Sequence, residues 1–171
     1  SDTFTMNLSR YFREGLVKLE MTTEIEPLGE EESVDKWRQL GKEAIIEELV
    51  SLLEVGNRND NRNKLLLDFI NREKKATTAI GHGVAFPHIR SMQAKDFMIA
   101  FARSTEGYDF DAPDHSLSHL FFVMAAPPYD DNLYLKVFKS LAEMLQYESF
   151  REELMSLQSP GELIRALRAM E

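Results

Sequence analysis

The chain has 171 residues, 43% of them apolar, enough to bury a hydrophobic core, and it reads as one domain over residues 1–171. Its formal charge of −9, from 20 basic and 29 acidic side chains, argues against a nucleic-acid binder, which carries a basic patch; it would suit a basic protein partner and is equally what solubility alone requires. There is no cysteine, which excludes disulfides and thiolate metal sites, and no apolar run approaches the roughly 20 residues that cross a bilayer, so neither membrane insertion nor an oxidising compartment is expected.

Residues 1–6 lack a basic stretch followed by an apolar one, so no secretory signal is read there, and they are read as a tag or flexible start. Asn7 or Ser9 is placed to cap a short helix through Glu14, closed by Gly15. Leu16, Val17 and Leu19 suggest a first strand. Glu20 to Lys36 is polar, with Pro27, Gly29 and three successive glutamates, and reads as a solvated excursion. From Trp37 to Val55 the apolar spacing is helical, with Ile45, Leu49, Leu52 and Leu53 on one face, and Gly56 is a stop. Asn57 to Asp60 reads as a loop, and Asn61 caps a second helix to about Lys75, which buries Leu65, Leu66, Phe69 and Ile70.

A turn-and-strand segment follows, Thr77-Thr78-Ala79-Ile80-Gly81-His82-Gly83-Val84-Ala85-Phe86-Pro87-His88-Ile89-Arg90. Gly81 and Gly83 permit turn conformations that other residues resist, Val84 to Phe86 is a short apolar run, and Pro87 has to sit at a strand end or sheet edge. His88 is thereby held stiffly beside solvent, where an imidazole suits nucleophilic or proton-transfer work; the bland reading is a turn histidine bonded to backbone. Phe97 to Ala102 reads as a strand, Gly107 to Ser116 as an Asp-rich loop, and Leu120 to Ala126 as a strand covered on both faces and stopped by Pro127-Pro128. Tyr134, Val137, Phe138, Leu141 and Leu145 mark an amphipathic helix, a short helix lies around Phe150 to Leu157, and the last begins at Ser159-Pro160-Gly161-Glu162 with a capping-box pattern. Strands interleaved with helices give an α/β fold, a mixed β-sheet sandwiched between helices.

Ile80-Gly81-x-Gly83-Val84-Ala85-x-Pro87-His88 resembles the active-site signature of enzyme IIA domains of the phosphoenolpyruvate-dependent phosphotransferase system, of the mannitol/fructose type (type 2) that includes the nitrogen-regulatory branch. The resemblance runs from about Leu8 to Leu167. It implies a cytoplasmic phosphoryl carrier of the sugar phosphotransferase system: His88 accepts a phosphoryl group from HPr or a paralogue and passes it to an enzyme IIB. The role in sugar uptake or in regulation is left open, the free-standing nitrogen-type protein being the weakly favoured form. Neither a metal nor a cofactor is implied, and the chain has no Walker A motif or kinase-type glycine loop. Arg72, in Asn-Arg-Glu-Lys at a helix C-terminus, resembles the family's Arg-Glu-Lys element and would clamp phosphoryl oxygens, its alternative being a surface cation on the helix dipole. Glu73 and Lys74 read as exposed helix-end charges. Thr77 and Thr78 match the family's Ser/Thr pair, with hydroxyls for the loop or the phosphoryl group.

The sequence also departs from the family pattern. His82 stands where Asn is frequent, Ala79 and Ile89 where Gly is, and Tyr134 where many relatives place a second histidine. A tyrosine hydroxyl donates a hydrogen bond to a phosphoryl oxygen but supplies no positive charge. Phe86 and Ile89 are candidates for an apolar docking rim, and either could equally be buried. His82 reads as a turn residue, His115 as exposed, and His119 as an edge-of-core residue. The alternative function is a regulatory module whose partner binding depends on the phosphorylation of His88 without onward transfer. An unrelated enzyme using His88 as a base ranks last, for want of a second catalytic group.

Overall fold

The strand Ser118–Ala126 is central because every second side chain can be buried on either side of it. Leu120, Phe122, Met124 and Ala126 face one apolar cluster, and Phe121, Val123 and Ala125 face the other. The structure is a computed structural model that describes residues 6–56, 61–130 and 132–171, so the expected loop at 57–60 lies outside the described residues. Its strands are β1 (Val17–Lys18), β2 (Ala79–Gly81), β3 (Val84–Ala85), β4 (His88–Arg90), β5 (Met98–Tyr108) and β6 (Ser118–Ala126). They form one mixed sheet in the order β1-β5-β6-β3-β2, with β4 also paired to β6. The pairs β1/β5, β3/β6 and β4/β6 are parallel, whereas β5/β6 and β2/β3 are antiparallel. Helices α1 (Val34–Glu54) and α2 (Arg62–Lys75) cover one face; α3 (Leu133–Met144), α4 (Glu148–Met155) and α5 (Pro160–Met170) cover the other. This is the expected helix-covered mixed sheet.

Local chemistry sets most of the element ends. Ser33 accepts from the Lys36 N–H (3.3 Å) and starts α1 three residues before the apolar periodicity does. Asn61 accepts from the Lys64 N–H (3.0 Å) and starts α2 where expected. Elsewhere the structure corrects the reading. The expected first helix is two short 3-10 turns, Leu8–Tyr11 and Glu14–Leu16, and Asn7 makes no side-chain cap. Ser9 instead donates its N–H (2.7 Å) and hydroxyl (3.2 Å) to the Glu171 carboxylate. At α5, Pro160 opens the helix as expected, but the Ser159 hydroxyl turns to Glu162 (3.4 Å) and caps no backbone N–H. Strand β5 continues to Tyr108, six residues past the expected end, because polar side chains in its second half find backbone partners. Arg103 donates to the carbonyls of Leu19 (3.0 Å), Leu154 (3.0 Å) and Leu157 (2.9 Å), and the Tyr108 hydroxyl to that of Thr23 (2.6 Å).

Two devices place His88. The β2–β3 hairpin turns through His82 (φ 55°) and Gly83 (φ 79°), a two-residue loop with positive φ at both positions, as type I′ hairpins require. Asp114 holds that turn by accepting from the His82 N–H (2.8 Å). Beyond the hairpin, Val84, Ala85 and His88 keep one register against Leu120, Phe121 and Met124 of β6. Pro87 accepts the Met124 N–H (2.9 Å) but has no N–H to return, so the ladder breaks into β3 and β4 and His88 opens the second piece.

The left-handed turn makes a prediction. His82→Val places a β-branched residue at positive φ and should cost about 1 kcal/mol, seen as a lower urea midpoint at unchanged slope. His82→Asn should leave the midpoint equal or higher. Equal loss in both variants would mean that the His82 side chain, not the backbone, carries the turn.

Candidate functional site

Strand periodicity puts His88 and Arg90 on one face of β4 and Ile89 on the other. The His88 ring is half-buried, edge-on to Phe86 (6.2 Å between centroids) and Phe138 (5.0 Å), with Tyr134 at 5.8 Å. Its Nδ1 lies 2.6 Å from the Phe86 carbonyl oxygen. A carbonyl only accepts, so Nδ1 carries the hydrogen and Nε2 keeps its lone pair. Burial pushes the imidazole below its ordinary 6.5; the Phe86 carbonyl opposes that, the Arg72 charge adds to it, and Glu73 opposes it. The ring is therefore a neutral nucleophile with a defined free nitrogen.

His88 lines an open cleft of about 780 Å³ together with Arg72, Arg90 and Tyr134. Arg72 comes from the last turn of α2, and its Nη1 donates to the Ala76 carbonyl (2.9 Å), which steadies the guanidinium. Tyr134 lies in the first turn of α3 and is only 9% exposed, with the Arg90 guanidinium over its ring at 4.7 Å. The sequence-predicted residues His88, Arg72 and Tyr134 thus meet in one cleft. Thr77 and Thr78 are not among the cleft-lining residues. The Thr77 hydroxyl donates to the Phe110 carbonyl (2.9 Å), and the Thr78 hydroxyl donates to Glu73 (2.7 Å).

Glu73 corrects the expectation of an exposed charge, because it is 4% exposed. Its carboxylate accepts the Thr78 N–H (2.7 Å) and hydroxyl (2.7 Å) and pairs with the equally buried Lys42 (2.8 Å). Lys42 also reaches the Thr77 hydroxyl (3.3 Å) and lies 4.6 Å from the Phe110 ring centre. With four donors and acceptors converging, the charges are satisfied rather than stranded. The Thr78 carbonyl in turn accepts the Phe86 N–H (2.9 Å), so this network reaches the residue whose carbonyl orients His88.

The remaining readings divide. Phe86 is fully buried and cannot be a docking rim, since its ring stacks on Phe122 (5.9 Å) under the sheet face. Ile89 does line the cleft, and the exposed Met92 and Leu135 join it. His82 and His115 are exposed turn residues at positive φ. His119 packs at the core edge, its Nδ1 2.9 Å from the Ser104 carbonyl oxygen. Lys42 and Arg90 were not found from the sequence, although each leaves a signal: Lys42 precedes Ile45 and Ile46 by three and four residues on the buried stripe, and Arg90 is two residues from His88 along a strand. Among the described residues, no group of three or more His, Cys, Asp or Glu is placed to hold a metal ion, and no helix is long and apolar enough to cross a membrane.

The family model of the phosphoenolpyruvate-dependent sugar phosphotransferase system, EIIA 2, matches residues 30–170. The PTS system fructose-specific EIIA component of Haloferax volcanii is 36% identical over 118 residues, 69% of this chain and 77% of that protein. The PTS system fructose-specific EIIABC component of Bacillus subtilis is 32% identical over 123 residues, which cover 72% of this chain but only 19% of that longer protein. Among solved structures, nitrogen regulatory protein IIA-Ntr from Neisseria meningitidis superposes with a TM-score of 0.77 at 27% identity, over 95% of this chain and 99% of that one.

The buried pair supplies the prediction here. Lys42→Met leaves the Glu73 carboxylate without its cation and should destabilise the protein by about 3–5 kcal/mol in urea titration. Lys42→Met combined with Glu73→Gln should recover most of that loss, because the uncompensated charge is gone while the amide can still meet Thr78. No recovery in the double variant would show that Lys42 matters through packing.

Proposed function

The chain belongs to the EIIA 2 family of the phosphoenolpyruvate-dependent sugar phosphotransferase system, a family of phosphoryl carriers, and from that membership we propose that His88 Nε2 carries the phosphoryl group, with Arg72 and Tyr134 at its oxygens. The observation that carries this reading is the hydrogen bond from His88 Nδ1 to the Phe86 carbonyl, which leaves Nε2 unprotonated in a cleft that also holds Arg72.

In this reading the donor is an HPr-like phosphocarrier bearing a phosphohistidine. The lone pair of His88 Nε2 forms the new N–P bond while the donor's N–P bond breaks and its electron pair returns to the donor ring. The phosphoryl group passes in line, its charge spread over three equatorial oxygens that need positive charge or donors around them. Arg72 offers a guanidinium fork and Tyr134 a hydroxyl. As Nε2 bonds phosphorus, the imidazole becomes cationic, and the Phe86 carbonyl already directed at Nδ1–H stabilises that charge without moving. The reverse chemistry hands the group to an enzyme IIB. Thr77 and Thr78 support the site by holding the loop between α2 and β2. Residues 1–171 then act as one cytoplasmic type-2 domain, in sugar transport or in nitrogen-type regulation.

The test is intact mass after incubation with phosphoenolpyruvate, enzyme I and HPr. We expect the gain of one acid-labile phosphoryl group, absent in His88→Ala, and slowing by about 10²–10³-fold in Arg72→Gln. Because burial holds the folded imidazole below its ordinary 6.5, its neutral form persists to lower pH than that of a free imidazole, so the midpoint of the acid decline in initial rate should fall below 6.5. A phosphoryl group found on another residue, or a rate already halved at pH 7, would contradict the assignment. A phosphorylated form that no enzyme IIB discharges would favour the regulatory module.

A further inference from the structure

A phosphoryl group carries close to two negative charges, and Arg72 supplies one positive charge at one side of the cleft. Arg90 stands on the same strand face as His88 and lines the same cleft. Its guanidinium carbon lies 4.7 Å from the centre of the Tyr134 ring, a stacked geometry that orients the planar fork and limits its side-chain freedom. The strand beneath it is fixed on both sides: Arg90 pairs in register with Ala126, and the next residue, Ser91, donates its N–H to the Ala126 carbonyl (2.9 Å) and its hydroxyl to Asp68 (2.6 Å). The Tyr134 hydroxyl feels both arginines. Burial raises it above its ordinary 10, while the charges of Arg90 and then Arg72 pull it down. The hydroxyl therefore shares one cleft with two guanidinium groups, one of them stacked on its own ring.

We propose that Arg90, stacked on Tyr134, is the second phosphoryl-binding arginine of this site and closes a two-arginine clamp with Arg72 around the group on His88. This rests on the reading of His88 as the phosphoryl-bearing residue. In the clamp each guanidinium donates to equatorial oxygens, Tyr134 donates between them, and the two cations balance the dianion at every pH at which the carrier works. Lys75 lines the cleft as well, at the exposed end of α2. It carries the same charge as Arg90 without an aromatic platform, which makes it the control for long-range field effects.

The experiment measures phosphoryl transfer from HPr and, separately, the binding of inorganic phosphate to the unphosphorylated protein by the shift of the imidazole and arginine nitrogen resonances. Arg90 is exposed, so its replacement leaves the fold intact, to be checked by the urea midpoint. Arg90→Gln should slow transfer by about 10²-fold and weaken phosphate about tenfold. Arg90→Lys should fall between Arg90→Gln and wild type, since it keeps the charge and loses the fork. Lys75→Gln should stay within about threefold of wild type, as an exposed charge is screened. Equal effects of Arg90→Gln and Lys75→Gln, or phosphate binding indifferent to Arg90→Gln, would overturn the clamp. Should His88 itself prove not to be phosphorylated, the phosphate titration still decides: weakened binding in Arg90→Gln upholds the two-arginine anion site, and unchanged binding rejects it.

Discussion

The site depends on a buried ion pair that lies outside the cleft. Lys42 and Glu73 are both 4% exposed and meet at 2.8 Å, where α1 and α2 cover the sheet. A charge placed there has to be answered by charge and hydrogen bonds, and the available partners are Thr77 and Thr78 in the loop leaving α2. Satisfying the pair therefore fixes that loop. The loop fixes Phe86 through the Thr78 carbonyl, and Phe86 fixes the tautomer of His88 through its own carbonyl. Each link is short and leaves its neighbour little freedom, which is what a reacting nitrogen requires of its surroundings.

The cleft also reconciles a chain of net charge −9 with the handling of an anion. Among the described residues, Arg72 and Arg90 line it, with the exposed Lys75 at the end of α2, and the one carboxylate there is that of Asp68, which is held by the Ser91 hydroxyl. A concentration of one sign within a concave, partly apolar wall raises the local potential well above what the net charge suggests. The exposed Met92 and Leu135 at its edge give an approaching protein apolar area beside the charge.

Much of this architecture was legible in the sequence. The apolar spacing of α1, α2 and α3, the unbroken apolar run of β6 and the glycine-flanked hairpin are local signals, and the structure follows them. The two readings of His88 were not rivals: the backbone bond that marks a turn histidine is the bond that frees Nε2. What escaped depends on partners distant in the chain. Glu73 looked solvated because Lys42, which neutralises it, sits on another helix. The second half of β5 was not legible, its last two residues reading as loop, because Arg103 and Tyr108 bond carbonyls of remote segments. Arg90 was passed over because its stacking on Tyr134 exists only once α3 packs against the sheet. Phe86 stood open between rim and core because a strand two residues long does not reveal which of its faces is closed.

The central claim is that the fold presents His88 as a neutral imidazole with the hydrogen on Nδ1 and the lone pair on Nε2. Long-range nitrogen–proton correlation spectra of the imidazole rings at pH 7 test it most directly, with His88→Gln identifying the resonance. The account predicts a protonated Nδ1 and a bare Nε2. A His88 ring with its hydrogen on Nε2, or one exchanging evenly between the two forms, would contradict it.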